Sequence, residues 1–135
     1  MILGFDPGRD KCGIAVMDKD KKLHYHQVVL ASEVDMIIGK ICEKFAIDTM
    51  VIGDRTTSML WEEKLRKILP DYVEIIKVDE RYSTLEGRDR YWEMYPPKGL
   101  VQIIPQGMRI PPRAIDDIVA IILIEKYLES GNKIY

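Results

Sequence analysis

Met1-Ile2-Leu3-Gly4-Phe5-Asp6-Pro7-Gly8-Arg9-Asp10-Lys11-Cys12-Gly13-Ile14-Ala15-Val16-Met17-Asp18 is the stretch whose reading decides the fold. An apolar run ends at the carboxylate of Asp6, turns through Pro7-Gly8, crosses a short charged loop and returns as a second apolar run. Runs this short, bounded by turn residues, read as strands and not as helices. A central strand buried on both faces is apolar nearly throughout, so Asp6 is the anomaly. A carboxylate there needs a hydrogen-bond donor, a cation or a metal, because burying it alone is very costly. Asp6 either caps the turn through the local backbone or binds a metal at the mouth of a sheet.

Outside this stretch the totals describe an ordinary globular chain. With 135 residues, 47% of them apolar and 31% charged, one domain over 1–135 with a packed core is expected. No apolar run reaches the length of a membrane span and no signal-peptide pattern opens the chain. Cys12 and Cys42 make no disulfide framework, so a reducing, cytoplasmic setting without a membrane partner is expected. His24 and His26 alternate along one strand, which puts them on the same face, and with no acid or cysteine near them they read as surface residues. The net charge of −2 is unlike that of a protein that coats nucleic acid. It still leaves room for a local basic face around an acidic metal site.

In chain order, strands are expected over Met1 to Asp6, Gly13 to Asp18 and Leu23 to Leu30, joined by turns short enough for an antiparallel meander. Ser32 then stands at an N-cap position, and Val34, Ile37, Ile38, Ile41 and Phe45 repeat at helical spacing as far as Ala46. Thr49 to Asp54 is a fourth strand that again ends in an acid, and Ser58 to Leu69 a second helix. Val73 to Val78 is a fifth strand, closed by Asp79-Glu80-Arg81. Ser83-Thr84-Leu85-Glu86 has the form of a capping box and opens a third helix to Glu93. An irregular, proline-rich segment from Tyr95 to Arg113 leads to a last helix over Ala114 to Glu129, ended by Ser130-Gly131-Asn132. The order βββαβαβαα predicts an α/β fold: a mixed sheet of three antiparallel strands and two parallel ones, with helices packed on its faces. Trp61 and the methionines are expected in the core.

Catalysts and ligands in such sheets gather at the carboxyl ends of strands. Asp6, Asp54 and Glu80 end strands one, four and five, and Asp116 and Asp117 open the last helix on the side of its buried stripe. Either of the last two could simply complement the helix dipole. Converging carboxylates raise one another's pKa unless a cation compensates them. Hard Mg²⁺ or Mn²⁺ suits carboxylate oxygens, and two such ions would flank a phosphodiester. No serine, cysteine or histidine motif competes with this chemistry.

With these residues in view, the chain resembles the ribonuclease H-like superfamily, and more closely the YqgF family of proposed Holliday-junction resolvases and pre-16S rRNA-processing nucleases. Three motifs in order carry the resemblance: Leu3-Gly4-Phe5-Asp6-Pro7-Gly8 with Lys11 and Gly13-Ile14-Ala15-Val16; Asp79-Glu80-Arg81-Tyr82-Ser83-Thr84; and Ile115-Asp116-Asp117-Ile118-Val119-Ala120 continuing to Tyr127-Leu128. The first is shared with sugar kinases and actin-like ATPases, so the spacing of all three gives the resemblance its specificity. It implies a ribonuclease H-like fold and a catalytic, metal-binding triad of Asp6, Glu80 and Asp116, with Lys11 placed for a phosphate. Asp54 and Asp117 remain further candidate ligands. The family commonly has Gly-Leu-Pro after the fourth strand, where this chain has Gly53-Asp54-Arg55-Thr56-Thr57-Ser58.

The segment before the last helix is longer and richer in proline than the family's. From Gly87 to Arg113, five cations (Arg88, Arg90, Lys98, Arg109, Arg113) outnumber Asp89 and Glu93. Tyr91, Trp92 and Tyr95 lie among them. Arg81, Arg88, Arg109 and Arg113 could position phosphates while the aromatic rings stack on unpaired bases. Equally, the rings could pack the segment onto the domain. The expected function is a two-metal-ion nuclease acting on structured DNA or RNA, in recombination or rRNA processing, and as a homodimer if its substrate is a junction. The alternative is a catalytically weak nucleic-acid-binding or regulatory domain on the same fold. An ATP-handling phosphotransferase would need a second lobe that 135 residues do not supply.

Overall fold

In the computed structural model, which describes residues 1–54 and 58–131, the opening hairpin forms the middle of the sheet. Strand β1 (Ile2–Asp6) pairs antiparallel with β2 (Lys11–Met17), setting Leu3 opposite Val16 and Asp6 opposite Gly13. β2 pairs antiparallel with β3 (Leu23–Leu30). On the other side of β1, β4 (Thr49–Gly53) and then β5 (Glu74–Val78) add in parallel. The order β3-β2-β1-β4-β5 is the mixed sheet expected, three antiparallel strands and two parallel ones. β1 has a neighbour on each side and helices over both faces, which is why all five of its residues are buried.

Alternation along the strands divides the core in two. Leu3, Phe5, Ile14, Val16, Met50 and Ile52 pack beneath α1 (Val34–Lys44) and α2 (Ser58–Ile68). Ile2, Ala15, Met17 and Val51 pack beneath α4 (Asp116–Gly131). The helix α3 (Ser83–Met94) lies against the far side of α4, where Tyr91 and Trp92 meet Ile118 and Ile122. Sandwiched between a sheet and a helix, α4 is apolar on both sides, and each buried isoleucine or leucine contributes about 1.5–3 kcal/mol.

Several local expectations give way to tertiary contacts. Ser32 does not cap α1: a 3-10 turn over Ala31–Glu33 leads in, Glu33 takes the cap position, and no side-chain cap bond forms there. Ser83 is the first residue of α3, while Tyr82 takes the cap position in the left-handed region at φ 64°. The Ser83 hydroxyl, buried in the fold, accepts a bond from Lys126 Nζ at 3.0 Å, so a tertiary partner replaces the capping box. The segment 95–113 contains two short 3-10 turns, Gly99–Ile103 and Gln106–Met108. Trp61 is half-buried against Phe5, and Met17 and Met50 lie in the core. Met36, Met59 and Met108, by contrast, are exposed on outer surfaces.

The two histidines also differ from expectation. Val16 pairs with Tyr25 but Met17 with Leu23, so the register shifts and His24 has no place in the ladder. The extra residue breaks the two-residue alternation. His24 lies edge-on to Phe45 beyond α1, whereas His26 reaches Asp117 on α4. Each has an acid beside it, Asp18 at 3.1 Å and Asp117 at 2.7 Å, although neither acid is adjacent in sequence.

Candidate metal and nucleic-acid site

Asp6 ends β1 on the face covered by α4, the face to which Ile2 also points, and it is 1% exposed. Its neighbours in the sheet are small. Gly13 stands opposite it on β2. Phe5 lies beside Ile52, which brings Gly53 of β4 next to Asp6 on the other side. A Cβ on Gly13 would lie 1.8 Å from the main-chain oxygen of Asp116, and a Cβ on Gly53 would lie 1.7 Å from Glu80 Oε2. The first turn of α4 therefore rests on Gly13, and the Glu80 carboxylate on Gly53. Asp6 lies in the strand between. The backbone of Asp116 and the carboxylate of Glu80 thus lie over the two strands that flank Asp6, at one end of the sheet.

Burial pushes the Cys12 thiol up, a backbone hydrogen bond at Gly8 pulls the other way, and the charges of Asp6 and Asp116 add to the rise. As oxygen donors, the three carboxylates fit a hard divalent cation. Their side chains do not form a closed cage as they stand: among the described residues no three His, Cys, Asp or Glu side chains are grouped as a ready cation shell.

The turn carrying Glu80 is held from both sides. Asp54, exposed at the end of β4, accepts the Glu80 N–H at 3.3 Å, and Asp79 accepts the Arg81 N–H at 2.9 Å. From α4, Lys126 Nζ donates to the Arg81 carbonyl at 2.9 Å and to Ser83 Oγ. Asp54 thus acts on the Glu80 turn. Asp117, next to Asp116 in the first turn of α4, has its own partners. It is 2% exposed, and its carboxylate accepts Arg113 Nη1 at 2.9 Å, Arg113 Nη2 at 3.4 Å and His26 Nδ1 at 2.7 Å. A carboxylate with both oxygens so engaged is a buried ion pair, formed between the start of α4, the segment before it and β3.

The basic candidates divide in the same way. Lys11, Arg81 and Arg88 are exposed. Arg109 donates to the Ile104 and Gln102 carbonyls at 2.8 and 3.3 Å and stands over the Trp92 ring. Arg113 stands over Tyr91 and Tyr95 as well as pairing with Asp117. Burial lowers the Arg113 pKa, but Asp117 and Tyr95 together more than offset it and the net direction is up. Tyr91 and Trp92 are buried against α4. Arg109, Arg113 and these two rings hold the proline-rich segment onto the domain, the packing alternative raised for that segment. His26 is the residue that sequence reasoning missed. Its partner lies 91 positions away, and no local signal marks the pair.

No family model matches the chain, and no curated protein matches it. Solved structures similar to it include RuvC of Thermus thermophilus, at 13% identity and TM-score 0.49, covering 98% of this chain and 94% of that one. A protein of Cytophaga hutchinsonii classed as a sugar kinase is similar at 13% identity and TM-score 0.46. The match covers 65% of this chain, which spans only 38% of the kinase. Likenesses this distant carry no functional argument. The fold described above stands on its own strand order and directions.

Proposed function

We propose that this chain is a metal-dependent nuclease that hydrolyses phosphodiester bonds in structured nucleic acid. The observation that supports the reading is that the Asp116 backbone over Gly13 and the Glu80 carboxylate over Gly53 lie on either side of Asp6, from elements far apart in sequence. In this reading the three acids hold Mg²⁺ or Mn²⁺, two ions in all, which when bound supply charge compensation and an activated water. Asp6 is the rigid member, fixed in the central strand. Glu80 comes from a turn pinned by Asp54 and Lys126, and Asp116 from the first turn of α4. The exposed Lys11, Arg81 and Arg88 then meet phosphates of the substrate. The YqgF resemblance supports a Holliday junction or an rRNA precursor as that substrate, a junction calling for a two-fold dimer.

A second reading is a nucleic-acid-binding domain with weak catalysis on the same fold. Cleavage separates the two. Labelled four-way DNA junctions, single-stranded DNA and structured rRNA-leader RNA are incubated with Mn²⁺ and wild type or Asp6→Asn. The nuclease reading expects cutting by the wild type and a loss of at least about a hundredfold in the variant. Binding without cutting by the wild type turns the assignment to the binding domain.

A further inference from the structure

Beside the first turn of α4 an open cleft of about 430 Å³ is lined by Lys11, His26, Gln27, Val28, Arg113 and Asp117. We propose that it is a phosphate subsite for the nucleic-acid backbone, with His26, oriented by Asp117, as a positioning residue next to Lys11. The proposal deepens the nuclease reading and takes the identity of its ligand from it.

The geometry begins with the alternation along β2. Gly13 lies under the first turn of α4, so Lys11, two residues earlier, projects to the same face. Val28 of β3 is opposite Gly13. The sequence of neighbours Gly53, Asp6, Gly13, Val28 thus runs from the acids directly into the cleft. Asp117 accepts only, so His26 Nδ1 must carry the hydrogen of the 2.7 Å bond between them. That bond fixes the ring and leaves Nε2 as its other polar atom. Arg113 already reaches both oxygens of Asp117, so the carboxylate has charged partners without His26. What the imidazole adds is a ring held in one orientation in the wall of a cleft. Its Nε2 edge and the ammonium of Lys11 line the same cleft. With Asp117 offset by Arg113, the polar wall presents positive charge, as a phosphodiester requires and a metal does not.

The test measures binding in EDTA, where cleavage cannot interfere. Anisotropy of a labelled four-way junction is followed at about 50 and 200 mM salt. His26→Ala and Lys11→Ala are each expected to weaken binding about tenfold at the lower salt, the loss of one charge-assisted contact. Lys11→Ala is also expected to reduce the salt slope by about one. Lys40→Ala, on α1 over the opposite face, should change neither. Unchanged affinity and slope in folded Lys11→Ala and His26→Ala overturn the subsite. If His26→Ala does not fold, the wild type decides: the His26 Nε2 resonance must shift when a short oligonucleotide is added, and no shift overturns the proposal. The two readings fail separately. Cleavage with Mn²⁺ but unchanged binding by the variants removes the subsite alone. Weakened binding by the variants without any wild-type cleavage removes the nuclease reading alone.

Discussion

Gly13 lies under the backbone of Asp116 and Gly53 under the carboxylate of Glu80, so a methyl group would meet different things at the two positions. On Gly13 it would strike the backbone of α4, at the Asp116 oxygen and the Asp117 nitrogen, and a helix packed on a sheet cannot move aside cheaply. On Gly53 it would strike the end of the Glu80 side chain, which can swing away. Gly13→Ala is therefore expected to lower stability by about 1–3 kcal/mol or more, whereas Gly53→Ala should leave the melting temperature nearly unchanged and lose Mn²⁺-dependent cleavage. Thermal denaturation and the cleavage assay, run on both variants, check this contrast. Asp18 carries a pH prediction. His24, through their hydrogen bond, and then the Lys22 N–H hold its carboxyl below the ordinary value. A carboxyl with a lower pKa in the folded than in the unfolded chain contributes stability above the unfolded value and loses it as pH falls through the folded one. The gap in melting temperature between wild type and Asp18→Asn should accordingly close as pH falls below about 4. A gap that persists in acid would remove the ion pair as its cause.

Among the elements, α4 is the one on which the site depends. It supplies Asp116, buries the face of the sheet behind Asp6, and through Lys126 holds the turn that bears Glu80. That turn is strained, since Tyr82 adopts φ 64° without being a glycine. Lys126→Met keeps the aliphatic stem but removes both hydrogen bonds to the turn. It is expected to cost about 1–2 kcal/mol of stability and to lower cleavage at least about tenfold. Equal losses of stability and activity per folded molecule would instead make the lysine a purely structural tie. The helix periods and strand runs were readable because each element is long enough to show its own hydrophobic repeat. The start of α3 was not, because Ser83 answers to Lys126 on another helix. The faces of His24 and His26 were lost for a different reason: a single bulge in β3 shifts the alternation, and nothing local encodes it.

Over the whole molecule, folding and metal binding should be linked. Carboxylates gathered from β1, the β5–α3 turn and α4 exist as a set only in the folded chain, so a cation they hold must stabilise it. Millimolar Mg²⁺ or Mn²⁺ is expected to raise the melting temperature of the wild type, and Asp6→Asn to abolish the rise. No shift in the wild type would count against a shared site. The sequence by itself determined the mixed sheet, because alternating apolar runs, turn residues and helical crossovers constrain strand direction locally. It also determined which acids end strands or open α4, since those positions follow from where the apolar runs stop. The roles of the remaining charges came only from the tertiary structure. Asp117 pairs with Arg113 and His26, Arg109 and Arg113 hold the proline-rich segment, and Asp54 supports Glu80. A charge in a sequence has no partner until the chain brings distant segments together, and burial then decides whether it is satisfied inside the protein or left to meet a ligand.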